Sequence, residues 1–253
     1  YGLNHQYDFY QMMDVEKTTF EEYKIGEYKM QLDLRRKLEN KTQIQIAFNE
    51  NSDTLSFLLD SIFTIEHVLV NGQTVEYTFL DNLLVIHDYF TKDSTVNVEI
   101  HYRGKVDIKK DIGSNLFYVS PYAINLVGGD FYWYPSPIME DVAKFDLNVT
   151  SDAKLYSNLP ISDGHLQGDT RYVSIFAGIY NEQTDGNIRY IYPFTMSVER
   201  IKSTISAIID EYNATDENIE VKNKYYNQVI VGTWPIEGDL LKVEDSTLYF
   251  RLD

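Results

Sequence analysis

From Glu27 onward the chain alternates apolar and polar residues, and this period of two constrains the fold more than any other feature. Tyr28, Met30, Leu32 and Leu34 fall on one face, with Lys29, Gln31, Asp33 and Arg35 on the other. The pattern predicts a strand buried on one side. Ile44, Ile46 and Phe48 repeat it after Glu39-Asn40-Lys41, which reads as a turn, and Thr54 to Leu59 adds a short apolar run. Ile65 to Val70 leads into Asn71-Gly72, two residues that accept positive φ and give the strongest short hairpin signal. Gln73 to Tyr77 should return antiparallel, and Leu83 to Ile86 and Val96 to Tyr102 extend the series. Turn signals recur about every 8–12 residues, the spacing of a β-sandwich or saddle-like sheet. The 21 Tyr and 13 Phe among 253 residues agree, because aromatic side chains suit a pleated surface.

Two stretches break the pattern. Residues 1–14 are aromatic and polar without period and read as a lead-in. Phe131-Tyr132-Trp133-Tyr134-Pro135 cannot alternate cleanly and is expected to cover a sheet edge or plug the end of a core. Lys144 to Val149, Arg171 to Ala177 and Ile188 to Tyr192 then read as further strands. After Pro193 the period changes: Ile201, Ile205, Ile208, Ile209 and Tyr212 form one helical stripe, with Ser197 as N-cap, Glu199 in the first turn and Asn213 as stop. Ile219 to Val221, Gln228 to Val231 and Thr247 to Arg251 read as strands. The predicted fold is mainly β: a saddle-like or sandwich-like antiparallel domain over 1–193, followed by a small α/β segment over 194–253. Trp133-Tyr134-Pro135 is expected to lie buried between the two.

Charge excludes some partners. Lys and Arg number 22 against 39 Asp and Glu, a net charge of −17. Such a chain repels phosphate backbones and anionic lipid, so nucleic acid is not an expected partner, whereas cationic or amphipathic peptides remain suitable. The absence of cysteine removes disulfides, thiol catalysis, Cys-type zinc sites and iron–sulfur clusters. No window holds the ~18 apolar residues of a membrane span, and the start, Tyr1-Gly2-Leu3-Asn4-His5, shows neither an initiator Met nor a signal peptide. The expectation is an excised fragment.

Catalytic motifs are absent. Among His5, His67, His87, His101 and His165 no pair is spaced three to five apart and no Glu follows a His, so His-Glu-x-x-His does not occur. Gly-x-Ser-x-Gly, Gly-x-Gly-x-x-Gly and the P-loop are missing as well. His67, His87 and His101 fall in strand patterns and read as sheet-face residues. The sequons at Asn40, Asn148 and Asn213 carry weight only in a eukaryotic secretory pathway. No catalytic, metal-ligating or cofactor-binding residue is assigned, and no cofactor is expected.

Several stretches resemble, in order, the N-terminal all-β domain of the aminopeptidase N-type zinc metallopeptidases. Tyr28-Lys-Met-Gln-Leu-Asp-Leu34 is similar to the first strand of that family, and Leu55 to Thr74, containing Val70-Asn71-Gly72, to its Val-Asn-Gly hairpin. Val98-Glu-Ile-His-Tyr-Arg-Gly104 resembles its Tyr-x-Gly strand, and Trp133-Tyr134-Pro135 its Trp-Tyr-Pro. Phe145 to Thr150 followed by Ser157-Asn158 resembles its strand and Ser-Asn-Gly step. The match covers residues 25–195. It implies a saddle-shaped β domain, with the remaining residues opening a thermolysin-like domain. The family's Gly-x-Met-Glu-Asn strand would fall near Gly238, where Gly238-Asp239-Leu240-Leu241-Lys242 holds neither Glu nor Asn, and no zinc helix follows before Asp253.

Two readings follow from the resemblance. In one, the chain is the N-terminal fragment of a zinc aminopeptidase whose catalytic motif lies beyond Asp253. In the other, preferred here, it is a degenerate, non-catalytic domain at the extracytoplasmic face of a bacterial cell membrane, with a binding or gating role. Such a domain is anchored by segments outside this chain to the rest of its own membrane protein, such as a transporter permease; a cytoplasmic location is the alternative. The candidate ligand surface is Tyr118, Tyr122, Asp130, Tyr132 and Glu140, where carboxylates would attract cationic peptides and tyrosines would supply contact area. The competing reading has these tyrosines packing the core.

Overall fold

The computed structural model describes residues 23–109, 115–129, 131–138, 141–215, 226–232, 241–244 and 246–251. Strand dominates at 60% against 7% helix, and the antiparallel sheets fit the predicted mainly-β class. The lead-in at 1–14 and the strand predicted at 219–221 lie outside the described residues.

The chain divides into two compact units, residues 1–176 and 177–253. In the first, an eight-stranded sheet runs in the order β14 (Ile161–Ser162), β15 (His165–Thr170), β12 (Ala143–Thr150), β1 (Tyr23–Asp33), β2 (Leu38–Phe48), β8 (Thr95–Gly104), β4 (Thr64–Val70), β5 (Gln73–Thr74). β1 pairs antiparallel with β2 but parallel with β12, so its two neighbours lie far apart in sequence. Register shifts between Ile25 and Glu27, a bulge at Gly26 that leaves both Ile25 and Tyr28 buried. That is why alternation becomes readable only from Glu27.

A three-stranded sheet, β3 (Ser52–Leu58), β7 (Leu83–Phe90) and β6 (Glu76–Leu80), packs against it. Phe48 of β2 stacks on Phe90 of β7 with centroids 4.5 Å apart. A five-stranded sheet follows the order β13 (Leu155–Ser157), β16 (Ile175–Ala177), β11 (Ile124–Leu126), β10 (Asn115–Val119), β9 (Asp107–Lys109). The Asn71-Gly72 hairpin forms as expected, both residues at positive φ (50° and 79°), joining β4 to a short β5.

Glu39-Asn40-Lys41 is not a turn. These residues lie inside β2, and the chain turns at 35–37 instead. Asn40 and Thr42 point inward with Ile44 and Ile46, and Asn40 Nδ2 donates to Tyr102 Oη at 2.7 Å. The hydroxyl in turn donates to the carbonyl of Trp133 at 2.9 Å.

Trp133 and Tyr134 are fully buried, and their described partners belong to the first unit. Trp133 Nε1 donates to the Val173 carbonyl at 3.2 Å. Tyr134 meets Tyr28 edge to face at 5.7 Å, and Tyr28 stacks on Phe145 at 4.7 Å. Ser136 and Leu58 exchange backbone hydrogen bonds of 2.8 and 2.9 Å, which pin this non-alternating segment to β3. Gly104 permits a close approach: a Cβ there would lie 2.7 Å from the Phe63 ring.

In the second unit the sheet order is β17 (Tyr180–Asp185), β18 (Ile188–Pro193), β19 (Gln228–Gly232), β21 (Thr247–Arg251), β20 (Leu241–Glu244). β18, β19 and β21 are parallel, and β19 is buried at every residue, as parallel strands covered on both faces are. Helix α1 (Val198–Thr215) lays Val198, Ile201 and Ile205 on Tyr190, Val229, Val231 and Leu248. Ser197 Oγ caps it, accepting from the Arg200 N–H at 3.3 Å. The units divide at 176/177, whereas the period change predicted a boundary near 193. The period marks where the helix begins; β17 and β18 pair forward into the second unit.

Candidate functional site

The structure describes the three tyrosines of the candidate surface; Asp130 and Glu140 lie outside the described residues. Tyr118 sits in β10, opposite Asn125 of β11 and Asp107 of β9. It is half-buried, and burial pushes its phenol above the ordinary value. The turn from β10 to β11 is closed by Ser120: its N–H and its hydroxyl both donate to the Ala123 carbonyl at 2.9 Å, and its Oγ accepts from the Ala123 N–H at 3.0 Å. Pro121 and Tyr122 are thereby held at the tip, and Tyr122 is 84% exposed. Tyr132 lies on the following segment, half-buried against Leu58, Leu83 and Ile138. Phe117 and Phe131, the residues preceding Tyr118 and Tyr132, stack at 4.8 Å and join the two segments. Tyr122 is thus a surface residue, and Tyr118 and Tyr132 divide their rings between core and solvent.

Sequence reasoning missed Asp60. Its N–H donates to the Tyr132 carbonyl at 2.9 Å, and its Oδ1 accepts from the Ile62 N–H at 3.0 Å in an Asx turn. Burial pushes its carboxyl up, and the Ile62 N–H draws it part of the way back. Asn82 braces the same corner, its Oδ1 accepting from the Ser61 N–H at 2.6 Å. The arrangement sets a half-buried carboxylate beside Tyr132. The available signal was an Asp ending the apolar run Leu55 to Leu59, the place for a turn residue rather than a solvating charge.

The described histidines stand on sheet faces. His101 Nε2 lies 2.7 Å from Glu99 Oε1, His165 Nε2 lies 2.8 Å from Asp146 Oδ1, and His87 Nε2 lies 2.8 Å from Thr78 Oγ1. His67 faces His101 across β4 and β8 with ring centroids 5.6 Å apart. Among the described residues no three His, Asp or Glu side chains are grouped to hold a metal ion. None of their helices is long and apolar enough to cross a membrane.

No protein-family model and no curated protein matches this chain. Solved structures do. A mutant M1 zinc metallopeptidase from Deinococcus radiodurans aligns with TM-score 0.60 and 13% identity, covering 90% of this chain and 60% of that one. The fold resembles the N-terminal β domain of M1 aminopeptidases. Legionella pneumophila aminopeptidase A, in complex with aspartic acid, gives 0.64 and 14% over 90% of this chain and 31% of its own. Yeast LTA4 hydrolase in complex with bestatin gives 0.58 and 11% over 92% of this chain and 41% of its own. This chain therefore spans only part of each. Zinc is named for the first of these proteins, yet the residues here do not fit it: the sequence has no His-Glu-x-x-His, and the described residues offer no ligand group.

Proposed function

We propose that this chain is a non-catalytic, aminopeptidase-like recognition domain of a bacterial membrane protein, displayed on the extracytoplasmic face and binding cationic or amphipathic peptides. One combination carries the reading: the fold match covers 90% of the chain, while the sequence holds no zinc motif. Without an activated metal-bound water, hydrolysis by the route of a zinc peptidase has no agent within these residues. A β domain that carries no metal ligands of its own among the described residues suits binding or gating. The exposed Tyr122, the partly exposed Tyr118 and Tyr132, and the net charge of −17 support a cationic partner. The membrane context and a transporter permease as the parent protein are proposed from composition and from the resemblance.

The second reading, a fragment of a zinc aminopeptidase, is favoured by one observation: the chain spans only 31–60% of the three similar structures compared above. The residues encoded after Asp253 separate the two. An apolar run of about 20 residues supports the membrane protein; a soluble continuation containing His-Glu-x-x-His supports the peptidase and overturns the proposal.

A further inference from the structure

A cavity of about 600 Å³ opens in the first unit beside the start of β1, within the range of about 300–1,000 Å³ usual for ligand sites. Buried Tyr28 and Tyr134 back its floor, and half-buried Tyr23, Pro137 and Tyr172 present the apolar surface of its walls. Tyr28 is held by Phe145 and Tyr134, and its hydroxyl donates to the Pro135 carbonyl at 3.0 Å, so the aromatic floor is fixed before any ligand arrives.

The rim is charged. Lys24 Nζ lies 3.2 Å from Asp141 Oδ2, and Arg171 acts on the same carboxylate from further away. That side of the mouth carries two cations against one anion, in a chain whose net charge is −17. Glu50, just beyond β2, places a carboxylate on the rim as well. Among the described residues neither Arg171 nor Glu50 has an ion-pair partner, and both are exposed.

An anion alone would be repelled by the chain as a whole, and a cation alone would leave Arg171 unmatched. A zwitterion meets both rim charges and carries no net charge. We propose that this cavity binds a small zwitterion with an apolar body, of dipeptide size. Its carboxylate pairs with Arg171, its ammonium with Glu50, and its side chains lie against the half-buried Tyr23, Pro137 and Tyr172. The apolar walls supply affinity and the rim charges fix orientation. The site shares no residue with the Tyr118, Tyr122 and Tyr132 surface and does not rest on the function proposed above.

The test titrates L-phenylalanyl-L-leucine into the 253-residue chain, followed by calorimetry and ligand-observed NMR. Its N-acetyl form, lacking the ammonium, and its C-terminal amide, lacking the carboxylate, serve as comparisons. The unmodified dipeptide is expected to bind at least about tenfold more tightly than either. Arg171→Gln is expected to remove most of its advantage over the amide and leave the amide's own binding unchanged. Glu50→Gln does the same relative to the N-acetyl form. Both sites are exposed, so the variants keep the fold, which circular dichroism checks. No saturable binding, equal affinity for the three forms, or binding indifferent to both substitutions would overturn the proposal. None of these outcomes bears on binding of basic peptides at the tyrosine surface.

Discussion

Three side chains of the first unit make claims at the scale of single residues. The Tyr102 hydroxyl accepts from Asn40 and donates to the Trp133 carbonyl inside the core. Tyr102→Phe strands both partners and should cost about 1–3 kcal/mol, read as a lower denaturation midpoint at unchanged slope. Asp60 has its carboxyl raised by burial from an ordinary 3.8. A raised carboxylate binds its proton more tightly in the folded state, so stability falls as pH rises through the folded value. Asp60→Asn keeps an oxygen for the Ile62 N–H, and it should be more stable than the parent at neutral pH, with the advantage shrinking in acid. Thermal melts at both ends of that range check this; a less stable variant at neutral pH contradicts it. Glu99 is the opposite case. Desolvation raises its carboxyl, but hydrogen bonds from Gln43, His101 and Lys41 outweigh it and bring the value from 4.5 down to about 2. Its contribution is complete above 4.5 and is lost as pH falls toward about 2. With its side chain 19% exposed and screened by solvent, that contribution is about 1 kcal/mol or less. Glu99→Gln should flatten the acid limb of a urea-denaturation series by that amount.

At the scale of elements, α1 shows what periodicity can carry. Its apolar stripe and Ser197 cap were readable because a helix writes its buried face into local spacing, and Ile201→Ala should cost about 2–5 kcal/mol of the second unit's stability by denaturant titration. Strands are less forthcoming. The alternation of β1 identified its buried face, but its parallel pairing with β12 joins residues more than a hundred positions apart, which no local pattern encodes. β18 read equally well as the last strand of one sheet or the first of the next, and β17, polar and exposed along most of its length, was not read as a strand. Asn40 read as a turn residue because its strand position depends on a hydroxyl 62 residues away. Of the candidate site, Tyr122 was named from the sequence, but the turn at Ser120-Pro121 that exposes it was not read. Asp60 was not legible, since its raised carboxyl comes from a burial that only the tertiary structure creates.

At the scale of the whole molecule, an aminopeptidase-like β domain and a small α/β unit share one chain that carries no zinc motif and a net charge of −17. The central claim is that such a chain recognises cationic peptides rather than cleaving them. Long-range attraction between a basic peptide and an acidic surface weakens as the Debye length shrinks, from about 30 Å at 0.01 M salt to about 8 Å at 0.15 M. Short-range tyrosine contact does not. The direct measurement is calorimetric titration of a Lys- and Arg-rich peptide at those two ionic strengths, with Asp130→Asn/Glu140→Gln and Tyr122→Ala as comparison variants. The account predicts saturable binding that weakens several-fold at the higher salt, a smaller salt effect in the charge-neutralised variant, and loss of affinity in Tyr122→Ala without loss of fold. No binding at low salt, or cleavage of the peptide by this chain, would contradict it.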